Sequence, residues 1–211
     1  MDAKHSDLTT KNKIMEEATK LFAEKGLEGT STRDIAKATG SNVSLISYYF
    51  GGKEGLYKTI IKEFAEQAQS RMENILKNYE GQSLEPSSFV ARLREIISGF
   101  VSMKIMNPDM SLLLQREALS GLPFAFEVYD EIFSSVGEKI VAIYKQGQQK
   151  GFVKKDIHPY VCFFSLVHSV DFYMTANRCN TEFIKQCPRF PEGKDLFVDQ
   201  LVKIFVEGVL K

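Results

Sequence analysis

Apolar residues recur at helical spacing along most of the chain. Ile14, Met15, Ala18, Leu21 and Phe22 share one face, Lys11, Lys13, Glu16, Glu17, Lys20 and Glu24 take the others, and Gly26 follows as a C-terminal cap. Ser31-Thr32-Arg33-Asp34 has the form of a capping box, in which a hydroxyl and a carboxylate each satisfy a free backbone N–H. A short helix with Ile35, Ala36 and Thr39 then stops at Gly40. Ser41-Asn42 restarts a second short helix over 43–49, which Phe50-Gly51-Gly52 ends. From Lys53 to Asn78, Leu56, Ile60, Phe64, Ala68, Met72 and Ile75 fall three or four apart and predict one long helix.

The stretch 79–87, with Gly81, Ser83 and Pro86, reads as a linker between two functional halves. Beyond it, Phe89, Leu93, Ile96, Ile97, Phe100 and Val101 mark a helix that stops near Asn107-Pro108. A shorter one over 110–119 is closed by Gly121-Leu122-Pro123. Phe126, Tyr129, Ile132, Phe133, Val136, Ile140, Ile143 and Tyr144 predict a single long helix ending at Gly151. The segment 161–177 is apolar nearly all round, which for a helix means burial on several sides. Residues 181–193 look irregular, and Phe197, Leu201, Ile204, Phe205 and Val209 predict a last amphipathic helix over 196–210. No strand alternation persists, so the expected fold class is all-α.

Composition agrees. With 44% hydrophobic and 26% charged residues in 211, the chain can bury a sizeable core, and only 14 Gly and 6 Pro interrupt it. Lys plus Arg and Asp plus Glu are 27 each, so no global charge advertises nucleic acid. Residues 1–60 are nearly balanced, with 9 Lys/Arg against 8 Asp/Glu, and any DNA binding there must come from local placement. The opening Met1-Asp2-Ala3-Lys4-His5 leads into no apolar signal region. The longest hydrophobic-looking stretch without charge, 157–170, is too short to span a bilayer. With three cysteines, Cys162, Cys179 and Cys187, the expectation is a cytoplasmic protein with reduced thiols and no membrane association.

The informative segment is the pair of short helices about the turn at Gly40-Ser41-Asn42. This is the pattern of a helix-turn-helix over about 31–50, whose second helix presents its N-terminal residues to the major groove. Ile35, Ala36, Ile46 and Phe50 would lock the pair together. That leaves Val43, Ser44, Leu45, Ser47, Tyr48 and Tyr49 on the other surfaces, where hydroxyls suit phosphates and base edges and Val43 or Leu45 suits a thymine methyl. Lys53 begins the next helix within phosphate reach. The bland alternative is a structural three-helix bundle with Tyr48 and Tyr49 in its core.

Three motifs in order, Ala18-x-x-Leu21-Phe22-x-x-x-Gly26, Thr30-x-Thr32-x-Asp34-Ile35-Ala36-x-x-x-Gly40 and Tyr48-x-Phe50-x-x-Lys53-Glu54-x-Leu56, resemble the DNA-binding domain of TetR-family transcriptional regulators over residues 9–68. The stretch 42–57 looks closest to the CecR-like (CerR-like) branch. The resemblance implies about nine or ten helices: a three-helix DNA-binding domain, then an effector-binding and dimerisation domain over 79–211, with the fourth helix as the lever between them. It places DNA contacts at Thr32, Arg33, Val43, Ser44, Leu45, Ser47, Tyr48, Tyr49 and Lys53. Because Ala38 to Gly52 holds no charged residue, guanine reading by Arg or Lys from the second short helix is excluded. DNA shape and dimer spacing then matter more.

The function so implied is a ligand-responsive regulator, by family default a repressor, that binds a pseudo-palindromic operator as a homodimer through helices at 161–177 and 196–210. The effector is expected to be small and apolar or aromatic, lined by Phe100, Met103, Phe126, Phe164, His168 and Phe172. The alternative function is a helical ligand-binding or protein-interaction module without operator recognition. Gln115-Arg116-Glu117, in an apolar neighbourhood, reads as an exposed helix edge, with an internal polar network as the other possibility. No cofactor is expected: the Gly52-Lys53 pair lacks the rest of a phosphate loop, and no G-x-G-x-x-G, H-E-x-x-H or G-x-S-x-G occurs. No C-x-x-C or H-x-x-x-H pair anchors a metal at Cys179, Cys187 or His168. The protein is not expected to be an enzyme.

Overall fold

The computed structural model describes residues 2–211, with side chains from Leu8 onward. Its helices are α1 (Asp2–Lys25), α2 (Thr32–Thr39), α3 (Val43–Phe50), α4 (Lys53–Lys77), α5 (Pro86–Met106), α6 (Pro108–Leu119), α7 (Phe126–Val128), α8 (Ser134–Lys150), α9 (Pro159–Ala176) and α10 (Lys194–Phe205). The fold is all-α, and no helix among the described residues is long and apolar enough to cross a membrane.

The chain forms two compact units. The first comprises the residues up to Glu66 together with Pro108–Tyr129, and the second Gln67–Asn107 with Asp130–Lys211. The dividing point in the N-terminal half thus falls inside α4, while the turn at 78–85 is an internal connection of the second unit. In the first unit α1 packs against α2 and α6, and α2 against α3. Ile14, Ala18, Phe22, Ile35, Ile46, Leu56, Ile61 and Leu113 are buried there. In the second unit α5, α8, α9 and α10 pack around Phe89, Leu93, Ile97, Val101, Tyr144, Val170, Leu201 and Val202.

Two elements depart from the sequence expectation. The single helix expected from Phe126 to Gly151 is interrupted: after three residues of α7, Tyr129–Phe133 form a π-helical turn before α8 begins. A π turn inserts extra backbone into the helix and shifts its phase. Ile140, Val141, Ile143, Tyr144 and Gly147 can therefore be buried while Phe126 stays exposed. The last helix stops at Phe205 and gives way to a 3-10 turn, Glu207–Val209. There the backbone exchanges helical hydrogen bonds for pairing with the segment after α8. Lys154 N donates to Val209 O at 2.9 Å and Lys211 N to Phe152 O at 3.1 Å, around an antiparallel bridge between Val153 and Leu210.

The stretch before α10 carries one 3-10 turn, Ile184–Gln186, and is otherwise held by polar contacts. Arg189 donates to the carbonyls of Asn177 (2.7 Å) and Cys179 (3.0 Å), and the Tyr173 hydroxyl donates to Pro188 O (2.8 Å).

Candidate DNA interface

The α2–α3 unit is built from local sequence. Ser31 caps α2: its Oγ accepts from Asp34 N at 3.2 Å, and the Asp34 carboxylate accepts from Ser31 N at 2.9 Å and from the Ser31 hydroxyl at 2.6 Å. Those bonds, the hydroxyl's first, hold the Asp34 carboxyl below its ordinary pKa. Gly40 ends α2 in the left-handed conformation (φ 66°), and the turn is closed by Ser41 N donating to Ala36 O (3.0 Å) and by a 2.6 Å hydrogen bond between the hydroxyls of Thr39 and Ser41. Asn42 caps α3 by accepting from Ser44 N at 2.9 Å. Gly51 and Gly52, both at positive φ, then turn the chain into α4.

This local geometry sorts the side chains of α3. Ile46 and Phe50 are buried with Ile35, Ala36 and Thr39 of α2. Val43, Ser44 and Ser47 are exposed, Leu45 and Tyr49 half-buried, and Tyr48 is 77% exposed with its ring edge-on to Tyr49 at 5.1 Å. Exposure of Tyr48 removes the structural bundle in which both tyrosines would lie in the core. Arg33 is exposed and Thr32 half-buried at the start of α2. Lys53 stands at the first position of α4, but one of its three N–H donors is committed: Nζ donates to Leu27 O at 2.8 Å. The exposed side of α3 is uncharged, polar and aromatic.

A second polar constellation in the same unit lies where a helix edge is expected, and at Glu117 it is an internal polar network instead. Gln115 and Arg116 are at least partly exposed, whereas Glu117 is buried, 3% exposed. The signal was available, because 117 continues the register of the buried Met110, Leu113 and Leu114. The Glu117 carboxylate accepts from the Tyr57 hydroxyl (2.9 Å) and from the backbone N–H groups of Phe124 (2.6 Å) and Ala125 (2.9 Å). Burial and the bond to Glu117 push the Tyr57 hydroxyl's pKa well above its ordinary value. Its ring packs edge-on to Phe22 (5.1 Å) and Phe124 (5.7 Å). Arg116 reaches the C-terminal end of α1, where Nη2 donates to Glu24 O at 3.3 Å.

The six residues expected to line an effector cavity are distributed. In the second unit Phe100 is half-buried and Met103 buried. Lys104 beside them is buried as well, in an ion pair with Asp171 (2.6 Å) and 5.3 Å from the centre of the Phe100 ring. Phe126 belongs to the first unit and is exposed. Phe164, His168 and Phe172 lie with Val161 along the exposed face of α9, opposite the buried Cys162, Leu166, Val170 and Met174. On α10, Leu196 and Ile204 are exposed too. Among the described residues no group of three or more His, Cys, Asp and Glu is placed to hold a metal ion.

Comparison with known proteins adds to this geometry. Residues 14–60 match the model for bacterial regulatory proteins of the tetR family. The chain is 45% identical over 110 residues to YttP of Bacillus subtilis, a probable HTH-type transcriptional regulator, covering 52% of this chain and 51% of that protein. To the HTH-type regulatory protein RaaS of Mycobacterium tuberculosis it is 35% identical over 154 residues, covering 73% and 64%. To the dual regulator CecR of Shigella flexneri it is 28% identical over 130 residues, covering 59% and 58%. The chain thus spans between about half and two-thirds of the length of these relatives. In fold it is similar to the ketosteroid regulator KstR2 of M. tuberculosis, with a TM-score of 0.73 at 20% identity over 95% of each chain.

Proposed function

We propose that the chain, whose residues 14–60 match the tetR family of bacterial regulatory proteins, is a ligand-responsive transcriptional regulator, a repressor rather than an enzyme. The observation that carries this reading is α3 itself. It is capped at both ends and braced by α2, and it presents Val43, Ser44, Ser47 and a 77% exposed Tyr48 outward. We assign phosphate contacts to Thr32, Arg33, Tyr48, Tyr49 and Lys53, and base selectivity to Ser44, Ser47, Val43 and Leu45. A helix of this make-up reads methyl groups and hydroxyl-accessible edges rather than guanine O6/N7, so part of its selectivity comes from the shape of the duplex.

The exposed apolar stripe of α9, Val161, Phe164, His168 and Phe172, supports a homodimer in which this face and that of α10 meet their symmetry mates. A dimer brings two copies of α3 to half-sites of a pseudo-palindrome, one helical turn or a multiple of it apart. With three of the six candidate lining residues on that stripe, Phe100 and Met103 are the ones we keep for a small apolar or aromatic effector. The kinship to the CecR-like branch rests on the match to CecR. YttP matches at higher identity, so the reading is made at the level of the family.

The test is footprinting of the purified protein on the intergenic DNA upstream of its own gene, over a salt series, followed where nothing is protected by selection from a random duplex library. A protected pseudo-palindrome is expected, with affinity falling linearly in log–log against salt. Tyr48→Ala should weaken it about tenfold or more while changing stability by less than about 0.5 kcal/mol, since the ring is exposed. Enrichment of no duplex would leave a helical binding module in place of a regulator.

A further inference from the structure

We propose that Glu117 is a positioning residue for DNA reading: through Tyr57 it fixes the first turns of α4 and thereby the orientation of α3. The inference rests on the DNA-binding reading above. A carboxylate is costly to bury unless its oxygens are well supplied with donors. Glu117 is 3% exposed and has three, one side-chain O–H and two backbone N–H groups. Its position completes an apolar helix face made by Met110, Leu113 and Leu114, where another leucine would serve packing alone. The side chain's two oxygens are there for their partners.

Those partners lie where orientation is decided. α3 passes into α4 through Gly51 (φ 72°) and Gly52 (φ 119°), a joint with no side chain to lock it. Lys53 and Tyr57, four residues apart and hence on one face of α4, are the two anchors just beyond that joint. Lys53 is held by Leu27 O in the turn after α1, and Tyr57 by Glu117 between the rings of Phe22 and Phe124. The same carboxylate grips the backbone of the loop after α6. That loop leads to Tyr129 and so to one of the three points where the chain passes between the two units, the others lying at 66–67 within α4 and at 107–108. Glu117 therefore ties the loop at one crossing to the helix that makes another.

The experiment uses the full chain and a duplex that the wild-type protein enriches from a random library. Affinities of Tyr57→Phe, Glu117→Ala, their double variant and Glu117→Gln are measured by fluorescence anisotropy at fixed salt, with helix content followed by circular dichroism. Tyr57→Phe, which keeps the ring packing, should bind about threefold or more weakly, and Glu117→Ala about tenfold or more, the scale of a lost charge-assisted hydrogen bond. The double variant should match Glu117→Ala within about twofold, because Glu117→Ala already removes the bond that Tyr57→Phe loses. Glu117→Gln should recover most of the affinity. Its amide oxygen can still accept from Phe124 and Ala125, and its NH2 can donate to the Tyr57 hydroxyl. Hydrogen exchange at the amides of Phe124 and Ala125 should accelerate in Glu117→Ala. Folded Tyr57→Phe binding as wild type, or losses that add in the double variant, would overturn the proposal. If Glu117→Ala fails to fold, Tyr57→Phe alone decides. A library from which the wild type enriches nothing overturns the DNA-binding reading first, and this proposal with it.

Discussion

At the scale of single residues, the polar atoms of the caps and turns that bound α2 and α3 are employed, and their employment has measurable consequences. Asp34 accepts two bonds from Ser31, which hold its carboxyl below the ordinary value of 3.8. A depressed carboxyl stabilises the fold fully above the unfolded-state pKa, and loses that contribution as pH falls through the lower folded-state value. The urea midpoint of the wild type should therefore drop more steeply below about pH 4 than that of Asp34→Asn; superimposable curves would show that Asp34 contributes no linkage. The cap was legible in the sequence because all its atoms lie within four residues. The Lys53–Leu27 bond spans 26 residues and the Tyr57–Glu117 bond spans 60, so neither partner could be named from spacing. For Glu117 the helical register announced burial, and only the tertiary fold supplied the donors.

At the scale of elements, glycine sets the joints. Gly40 adopts φ 66°, and a Cβ added there would meet nothing within 4 Å, so Gly40→Ala isolates the conformational cost from any clash. The expected loss is about 1–2 kcal/mol, smaller for Gly40→Asn, read as a shift of the urea midpoint at unchanged slope. The helices of the N-terminal half fall close to their predicted bounds because each carries its own start and stop signals. The departures, the π turn at Tyr129–Phe133 and the early end of α10 at Phe205, arise where bonding to a remote segment or a shift of phase overrides a continuous apolar pattern. For α9 the nearly all-round apolar sequence announced two buried sides, and the fold of one chain covers only one of them. Phe164→Glu places a carboxylate in the exposed stripe. It should leave helix content intact and shift the sedimentation coefficient from dimer to monomer; a variant that sediments as wild type would remove this face from the subunit contact.

At the scale of the molecule, the unit that carries the candidate DNA interface is discontinuous in sequence. Linker composition pointed to 79–87 as the joint between two halves, because Gly, Ser and Pro mark turns. A turn marks a change of chain direction and need not mark a boundary of packing. The first unit closes over α1 with α6, drawn from residues 108–119, and buries Phe22 and Tyr57 to 1% and 4% exposure. It also supplies Phe124 against Tyr57 and Arg116 against the end of α1. A chain ending at residue 78 would keep every element of the helix-turn-helix and lose this wall, uncovering large apolar side chains at about 1.5–3 kcal/mol each. A domain of that size has only a few kcal/mol of stability to spare. The truncated chain is expected to lose its cooperative urea transition and its affinity for the selected duplex together. Covalently restoring 108–129 through a flexible linker should recover the cooperative transition, whereas affinity for a pseudo-palindrome also needs the α9 and α10 faces that pair two copies. A cooperative transition in the 1–78 fragment at the wild-type midpoint would mean that the three N-terminal helices and the start of α4 suffice on their own. Glu117 would then have no part in holding the recognition helix.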